Sequence, residues 1–254
     1  MAKVNLTGRT AIVTGASAGI GRRFAKALAE NGAAVVLAAR RGDALRELAA
    51  EIRDAGGRAH AHAIDLADAA AIPGLFDAAE GAFGTVDILV NNAAIPDANY
   101  ATRLPLELID RVLDVDLRAP FLLSTEAARR LIAAGKPGNI VNMSSVAAYH
   151  YTTTSAAALY ATIKAAIIRM TETLAIEWSS YRINVNAIAP GMFESEMTAG
   201  FFARVGGDGI RARFPRRRFG EPAFLDSTLL YLVDPDSHFV TGSCIVVDDA
   251  QAGR

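Results

Sequence analysis

A glycine-rich turn between a predicted strand and a predicted helix constrains the fold of this chain more than any other feature. Thr10 to Thr14 is a short β-branched run that stops at Gly15, and helical spacing of apolar residues begins at about Gly19. With Gly21, the glycines have the spacing G-x-x-x-G-x-G. Such glycines let the backbone turn sharply and approach a pyrophosphate closely. The amides at the N-terminus of the following helix point toward the pyrophosphate and stabilise its negative charge. The stretch therefore predicts a strand-turn-helix unit that binds a dinucleotide; a turn that binds nothing is the alternative.

Strands and helices alternate along the rest of the chain. The predicted strands cover residues 10–14, 34–39, 58–64, 86–90, 139–143, 182–188 and 244–247. This alternation requires right-handed crossovers and gives a parallel sheet covered by helices on both faces. A chain of 254 residues suits one such domain better than two small ones. We therefore predict a single doubly wound α/β domain over residues 1–254, with seven parallel strands.

Composition and charge narrow the classes of function. With 52% hydrophobic residues, 21% charged residues and a net charge of -1, the chain is typical of a globular protein and does not favour nucleic-acid binding. Cys244 is the single cysteine, so it forms no intrachain disulfide, and no Cys/His cluster has metal-ligand spacing. No apolar run approaches the roughly 18 residues of a membrane span, and Lys3 leads almost directly into a strand without a signal-peptide core. We expect a cytoplasmic protein with no bound metal and no membrane contact.

The end of the second predicted strand bears on which dinucleotide would bind. An acid at this position would accept from the ribose 2′-hydroxyl and repel a 2′-phosphate, but the chain has Ala39 followed by Arg40 and Arg41. Arg40, with Arg41 as the second candidate, favours NADP(H); a solvated pair of surface arginines is the alternative. After the third strand, Asp65 is placed to accept from the adenine amino group or, equally, to cap a helix.

Tyr160 and Lys164 stand four residues apart in a segment with helical spacing, so their side chains share one face of the helix. The reference pKa of a tyrosine is about 10, and a neighbouring ammonium favours the phenolate that proton transfer requires. The pair is suited to general acid–base chemistry on one substrate atom. Taken alone, it is also compatible with an ordinary amphipathic helix.

Together these segments resemble the short-chain dehydrogenase/reductase family over nearly the whole chain, from Leu6 to about Asp248. The matching stretches are Thr14 to Gly21, Asn91 to Ala93, Ser145, Tyr160 with Lys164, Asn186, Pro190-Gly191 and Val246-Val247-Asp248. The resemblance implies a Rossmann-type fold, a nicotinamide cofactor, hydride transfer to or from a carbonyl carbon, and a homotetramer or homodimer. With Arg40 and Asp65, the expected cofactor residues are Gly15, Ser17, Ile20, Gly21, Leu66, Asn92, Tyr160, Lys164, Pro190, Gly191 and Ser195.

The resemblance also implies a role for each catalytic residue. Tyr160 would give a proton to the carbonyl oxygen, Ser145 would donate a hydrogen bond to that oxygen, and Lys164 would bind the nicotinamide ribose. Ser144 is a rival for Ser145, because neighbouring side chains on a strand point to opposite faces. Ser195 stands where a family threonine contacts the carboxamide of the cofactor.

Three places depart from the family pattern. Asp116 replaces an asparagine in the fourth catalytic position, so an acid affects the proton relay. Pro120 has no amide to donate to the carbonyl of residue 116, so we predict a kinked helix and a relay through the backbone of Asp116. Ala94 and the Asp249-Ala250 pair replace glycines, which removes backbone freedom from two loops.

Residues 192–218 form a long irregular stretch that we predict to be a lid over the substrate. Tyr151, Phe193 and Phe202 are the candidate pocket residues and favour a fairly hydrophobic carbonyl or secondary alcohol. Packing against the lid or a neighbouring subunit is the alternative for these side chains. A basic cluster beside the lid is either a solvated face or a site for an acyl-thioester carrier: Arg211, Arg213, Arg216, Arg217 and Arg218.

The sequence thus favours an NADP(H)-dependent carbonyl reductase or alcohol dehydrogenase that acts on a small molecule. A 3-oxoacyl-thioester reductase is the alternative within the same class. A catalytically weakened NADP-binding scaffold or sensor is the alternative from another class, because Asp116, Ala94 and Asp249 all depart from the family pattern.

Overall fold

The fold is described by a computed structural model that covers residues 4–97, 99–151, 157–196, 198 and 206–252. Its strands are β1 (Thr10–Thr14), β2 (Ala34–Ala39), β3 (Arg58–Ala63), β4 (Ile88–Asn91), β5 (Gly138–Met143), β6 (Ile183–Pro190) and β7 (Cys244–Val247). Its helices are α1 (Gly19–Glu30), α2 (Gly42–Asp54), α3 (Ile72–Phe83), α4 (Leu106–Leu113), α5 (Ala119–Ala134), α6 (Ala158–Trp178), α7 (Gly207–Arg211) and α8 (Asp226–Val233). No helix in this part of the chain is both long and apolar enough to cross a membrane.

All pairings in the sheet are parallel, and the strand order is β3-β2-β1-β4-β5-β6-β7. Because β1 pairs with both β2 and β4, the chain builds the sheet outward from β1 in one direction and then in the other. This reversal leaves a crevice beyond the carboxyl ends of β1 and β4. The described residues therefore form the seven-stranded, doubly wound, Rossmann-type sheet that the sequence predicts.

Apolar side chains along each central strand alternate between two cores. Ile12 of β1 belongs to a core with residues of α3, α5 and α6, whereas Ala11 and Val13 belong to a core with residues of α1, α2 and α8. Val35 and Val36 of β2 divide between the same two cores. Since successive strand residues point to opposite faces, burial of both sets requires helices on both sides of the sheet.

The long helical segment beside the crevice changes its hydrogen-bond pattern just before Pro120. After α4 the chain makes a π-helical turn, Asp114–Arg118, and α5 then begins with Pro120 in its first turn. The Ala119 amide donates to the Asp114 carbonyl, which is the wider hydrogen-bond spacing of a π turn. Pro120 has no N–H to donate, and it directly follows Ala119, whose amide bonds in this wider spacing. The predicted kink is therefore a change in hydrogen-bond register.

Candidate active site

A cleft of about 690 Å³ opens beyond the carboxyl ends of β1, β4 and β5, where the strand order reverses. The glycine-rich turn, the ends of β2 and β3, the start of α6 and the segment after β6 complete its wall. All the cofactor residues predicted from the sequence line this cleft: Gly15, Ser17, Ile20, Gly21, Arg40, Asp65, Leu66, Asn92, Tyr160, Lys164, Pro190, Gly191 and Ser195. Ser145 lines it as well, whereas Asp116, which the sequence predicts to be the fourth catalytic residue, does not; its neighbour Val115 does.

Close packing beneath the glycine-rich turn explains two of its glycines. Gly15 has a φ of +67°, and a Cβ there would lie 2.8 Å from the side-chain amide of Asn92. A Cβ at Gly21 would overlap the same amide. Asn92 donates this amide to the Thr14 carbonyl at 2.9 Å and so ties the end of β4 to the end of β1. Both glycines are therefore needed to seat the turn on β4, besides any approach to a ligand.

The N-terminus of α1 lines the cleft without a side-chain cap. Its N-cap residue, Ala18, makes no side-chain hydrogen bond, and the first turn of α1 contains no acidic residue. The first amides of a helix lack helical acceptors, and the helix dipole at this end favours an anion. A phosphate group of a dinucleotide fits this position because it would supply both the acceptors and the negative charge.

Arg40 and Arg41 both line the cleft where β2 ends. Nε and Nη2 of Arg41 donate to the Ser17 hydroxyl at 3.1 and 3.0 Å. Ser17 belongs to the glycine-rich turn, so its hydroxyl fixes the guanidinium near the position where the adenosine ribose of a dinucleotide would lie. The sequence favours Arg40 over Arg41; both line the cleft, and Arg41 is also held by hydrogen bonds to the glycine-rich turn.

Two acids lie beside these arginines. The carboxylate of Glu196, on the segment after β6, is 2.9 Å from Nη2 of Arg41. Asp65 is 2.9 Å from Nη2 of Arg111 and accepts from the Ala67 amide at 3.1 Å. The hydrogen bond from Arg111 holds the pKa of Asp65 below its ordinary value, so this carboxylate stays ionised. No sequence pattern indicates Glu196, because the fold alone brings it to Arg41.

Tyr160, Lys164 and Ser145 all line the cleft, after the end of β5 and in the first turns of α6. Lys164 is 3% exposed; its Nζ donates to the Met143 carbonyl at 3.0 Å and lies 5.2 Å from the centre of the Tyr160 ring. Ser145 Oγ accepts from the Ala147 amide at 3.1 Å, which leaves its O–H available to donate to a ligand. The arrangement therefore offers a phenol, an ammonium and a hydroxyl to one region of the cleft.

Ser144 uses its hydroxyl group in the frame of the site. Its Oγ donates to the Lys164 carbonyl at 2.8 Å, and the residue is buried. This bond ties the end of β5 to α6, the helix that carries Tyr160 and Lys164. Of the two neighbouring serines, Ser145 is thus the one whose hydroxyl hydrogen remains available for a substrate.

Asp116 is a buried acid directly behind Lys164. Its side chain is 0% exposed, and Oδ1 accepts from the Ile95 amide at 2.8 Å. Oδ2 lies 3.9 Å from Lys164 Nζ and has no hydrogen-bond partner in the part of the chain that the structure describes. Burial raises the pKa of this carboxyl to about 6, although the charge of Lys164 and the Ile95 hydrogen bond oppose the rise. The raised pKa of Asp116, a residue predicted to be catalytic, therefore lies near neutral pH.

Asp97 is a second buried acid, and no sequence pattern indicates it. It is 1% exposed, and its Oδ2 accepts from the backbone amide of Tyr160 at 3.0 Å. The N-cap residue of α6, Ala157, makes no side-chain cap, so a carboxylate from the loop after β4 takes this place. Burial raises the pKa of Asp97, against the hydrogen bond from Tyr160. The two partners are 63 residues apart, which is why local sequence signals miss the contact.

The glycine replacements near the C-terminus adopt backbone conformations that favour glycine. Asp249 and Ala250 have φ values of +52° and +60°, whereas Ala94 lies outside the left-handed region. Arg216 and Arg218 approach the Asp249 carboxylate to 3.1 and 2.6 Å. Part of the basic cluster is therefore paired with an acid of the chain itself.

The three predicted pocket residues differ in placement. Phe193 lines the cleft, is 6% exposed and packs its ring against Gly220. Tyr151 is half exposed, accepts from the Ala157 amide at 3.4 Å, and is not among the described residues that line the cleft. Phe202 lies outside the described residues, as do its neighbours from 199 to 205. Within the predicted lid, the described part includes the short helix α7.

The fold and the cleft define a doubly wound α/β protein with Tyr160, Lys164 and Ser145 in the cleft at the carboxyl edge of its sheet. The family model described as short chain dehydrogenase matches residues 9–205. The NAD-dependent glycerol dehydrogenase of Listeria innocua is 34% identical over 244 residues, 96% of this chain and 94% of that protein. The 3-oxoacyl-[acyl-carrier-protein] reductase of Synechocystis is 36% identical over 245 residues, 96% of each chain. The solved structure of a candidate 2-deoxy-D-gluconate 3-dehydrogenase from Agrobacterium tumefaciens, with bound NADP, is 34% identical, covers 100% of both chains and has a TM-score of 0.88.

This chain belongs to the short chain dehydrogenase family, as its sequence motifs imply. It is therefore an oxidoreductase of a family that uses a nicotinamide cofactor. The Listeria relative is named for NAD, and the Agrobacterium structure contains NADP. Family membership thus leaves the choice between the two dinucleotides to the particular residues of this chain.

Proposed function

We propose that this protein is an NADP(H)-dependent carbonyl reductase or secondary-alcohol dehydrogenase acting on a fairly hydrophobic small molecule. The observation that carries the proposal is the convergence of Tyr160, Lys164 and Ser145 on the cleft that also contains the glycine-rich turn. The guanidinium of Arg41, fixed to Ser17, supports a preference for the 2′-phosphate, because guanidinium groups bind phosphate through paired N–H donors.

The side chains at the cleft suit the oxygen chemistry of carbonyl reduction. A bound nicotinamide cofactor supplies the hydride that reaches the carbonyl carbon. As negative charge grows on the carbonyl oxygen, the Tyr160 phenol gives it a proton and the Ser145 hydroxyl donates a hydrogen bond to it. The ammonium of Lys164, 5.2 Å from the tyrosine ring centre, stabilises the phenolate that remains. In alcohol oxidation the same proton moves in the opposite direction.

The carboxyl group of Asp116 offers a route for protons behind Lys164. Its Oδ2 lies 3.9 Å from the ammonium, and its pKa of about 6 lets it bind or release a proton near neutral pH. The relay expected through the backbone of Asp116 can therefore also use the side chain. An acid at position 116, where the family pattern has an asparagine, is therefore compatible with turnover.

The cofactor assignment is tested by steady-state kinetics with NADPH and with NADH. We expect a higher kcat/KM with NADPH, and Arg41→Ala should lower the NADPH/NADH ratio by about 10-fold or more, because a charge-assisted hydrogen bond contributes about 1.5–3 kcal/mol. Arg40→Ala should lower the ratio as well. A higher kcat/KM with NADH, or a ratio unchanged in both arginine variants, would refute the assignment.

The catalytic assignment is tested with the same assay across ketones, diketones, sugars and acyl thioesters. Tyr160→Phe should lower kcat by about 10²- to 10⁴-fold, because it removes the acid, while NADPH still binds. The matched control is Tyr231→Phe, which removes an exposed phenol on α8, away from the described cleft wall. Tight NADPH binding without turnover of any carbonyl by the parent protein would favour the scaffold or sensor instead.

A 3-oxoacyl-thioester reductase is the second candidate function. Arg213 and Arg217 of the basic cluster are exposed, and an acidic carrier protein or a coenzyme phosphate would be attracted to them. The Synechocystis relative is named for this activity. Replacing both arginines with glutamate should lower kcat/KM for a carrier-bound thioester far more than for a simple ketone; an equal effect on both substrates would argue against this candidate.

We also propose that the protein is a homo-oligomer, a tetramer or a dimer. The support is a set of exposed apolar side chains along α4 and α5, among them Leu106 and Phe121 at 68% and 48% exposed. Association of copies would remove this apolar surface from water. The resemblance to the family implies the same kind of assembly.

A further inference from the structure

We propose that Glu196 tunes the cofactor preference of the cleft by competing with the 2′-phosphate of NADP(H) for Arg41. The inference rests on the proposed function, in which Arg41 binds that phosphate. The Glu196 carboxylate lies 2.9 Å from Nη2 of Arg41, and both residues line the cleft. An acid thus reaches the ribose end of the site from the segment after β6, although the end of β2 has no acid of its own.

The donors of Arg41 explain why the two anions compete. Nε and Nη2 both donate to the Ser17 hydroxyl, and Nη2 also meets the Glu196 carboxylate. A phosphate binds a guanidinium best through two parallel N–H groups. A 2′-phosphate must therefore displace Glu196 or share Nη2 with it, which places like charges side by side. The 2′-hydroxyl of NAD(H) carries no charge and can donate to the same carboxylate.

The segment that carries Glu196 is held in place independently of the Glu196 side chain. Ser195 packs so close to the glycine-rich turn that a Cβ at Gly19 would lie 3.3 Å from Ser195 Cβ. The Ser195 amide donates to Thr198 Oγ1 at 2.9 Å, and the Thr198 amide donates to Ser195 Oγ at 3.3 Å. The Glu196 side chain can therefore leave Arg41 while its backbone stays, so a substitution at 196 tests the carboxylate itself.

Exposure limits the size of the effect. The side chains of Arg41 and Glu196 are 53% and 66% exposed, so water and salt screen their attraction. Exposed ion pairs of this kind are weak, and a phosphate dianion can displace the carboxylate. Glu196 therefore lowers the affinity for NADP(H) without excluding it.

The test measures dissociation constants of the full chain for NADPH and NADH, and for 2′-AMP and 5′-AMP as probes without the nicotinamide half. We expect Glu196→Gln to tighten the binding of NADPH and 2′-AMP by about two- to five-fold, and to leave NADH and 5′-AMP unchanged or slightly weaker. Glu194→Gln is the matched control, because Glu194 is an exposed acid on the same segment and its removal changes the net charge equally. It should leave all four constants as in the parent.

A double variant shows whether Glu196 acts through Arg41. In the Arg41→Ala background, Glu196→Gln should no longer change NADPH affinity. The proposal is overturned by unchanged NADPH affinity in Glu196→Gln, by equal tightening of NADPH and NADH, or by the same effect in Glu194→Gln. If the parent prefers NADH and Glu196→Gln moves it toward NADPH, the NADP(H) assignment fails while the competition stands. If Arg41→Ala lowers the NADPH preference but Glu196→Gln has no effect, the NADP(H) assignment stands and the competition by Glu196 is refuted.

Discussion

Asp116 differs from the asparagine of the family pattern by a single side-chain atom, because Oδ2 replaces the amide nitrogen. Its Oδ1 accepts from the Ile95 amide, a role that an asparagine would fill equally well. The difference lies in Oδ2, which is buried 3.9 Å from the Lys164 ammonium. Burial favours the neutral carboxyl and Lys164 favours the ionised one; burial has the larger effect, since the pKa rises to about 6. Above this pH the protein therefore contains a buried charge that its surroundings only partly stabilise.

Asp116→Asn should accordingly stabilise the protein at about pH 8 more than at about pH 5. The pKa of the Asp116 carboxyl is about 6 in the folded protein and about 4 in the unfolded chain. The protein therefore has its full free energy of unfolding below about pH 4 and loses part of it as the pH rises through about 6. The difference of about two pKa units corresponds to about 2–3 kcal/mol once the group is fully ionised. Urea unfolding of both proteins across this pH range measures the trend. A difference in unfolding free energy that stays constant, or that shrinks toward higher pH, contradicts the explanation.

At the scale of elements, α6, which carries Tyr160 and Lys164, is fixed by contacts from residues at the ends of two neighbouring strands. Ser144, after β5, donates to the Lys164 carbonyl at 2.8 Å, and Lys164 Nζ donates to the Met143 carbonyl at 3.0 Å. Asp97, after β4, accepts from the Tyr160 amide at 3.0 Å. Hydrogen bonds between side chains and backbone groups therefore set the positions of Tyr160 and Lys164 before any substrate binds.

Loss of the Asp97 cap should lower turnover more than cofactor affinity. Asp97→Ala removes the acceptor for the Tyr160 amide, so the first turn of α6 loses its cap; kcat should fall by about 10-fold and stability by about 1 kcal/mol. Asp97→Asn keeps an acceptor oxygen and should recover most of the turnover. Comparison of kcat, KM and the NADPH dissociation constant for the two variants checks this role. If the asparagine variant is as impaired as the alanine variant, turnover depends on the charge of Asp97 and not on the cap. Full activity in both variants would show that Asp97 has no role in turnover.

Elements with strong local signals were predictable, and the contacts between them were not. The strands, the glycine-rich turn and the Tyr160 to Lys164 helix follow from periodicity and glycine spacing, and the sheet follows from their alternation. Pro120 signals an interruption, but the π turn depends on how α4 and α5 pack and has no local code. The caps and ion pairs that involve Asp97 and Glu196 join residues far apart in the chain. They depend on the finished fold, so a single sequence does not reveal them.

At the scale of the whole molecule, one helix face is exposed within the described part of the chain. Leu106, Leu113, Phe121 and Ile132 are between 37% and 68% exposed and follow one another along α4, the π turn and α5. The seven-residue step from Leu106 to Leu113 stays on one face of a helix. The eight-residue step to Phe121 crosses the π turn, whose extra residue returns the chain to the same face. The four side chains thus form one apolar stripe, which suits association with a second copy.

Phe121→Glu should therefore reduce the size of the assembly. A charge in the middle of the stripe would have to be desolvated when two copies associate, and burial of an unpaired carboxylate costs several kcal/mol, so the interface should dissociate. Light scattering coupled to gel filtration measures the mass of the parent and the variant at matched concentrations. Arg46→Glu is the control, because it reverses a charge on α2, in the helix layer on the other face of the sheet. A monomeric parent, or a Phe121→Glu variant that keeps the parent's mass, would show that the stripe is not an interface between copies. The π turn keeps Phe121 in this stripe, and it also contains Asp116. If Phe121→Glu lowers kcat as well as the mass, assembly and the proposed catalytic site are coupled through this turn.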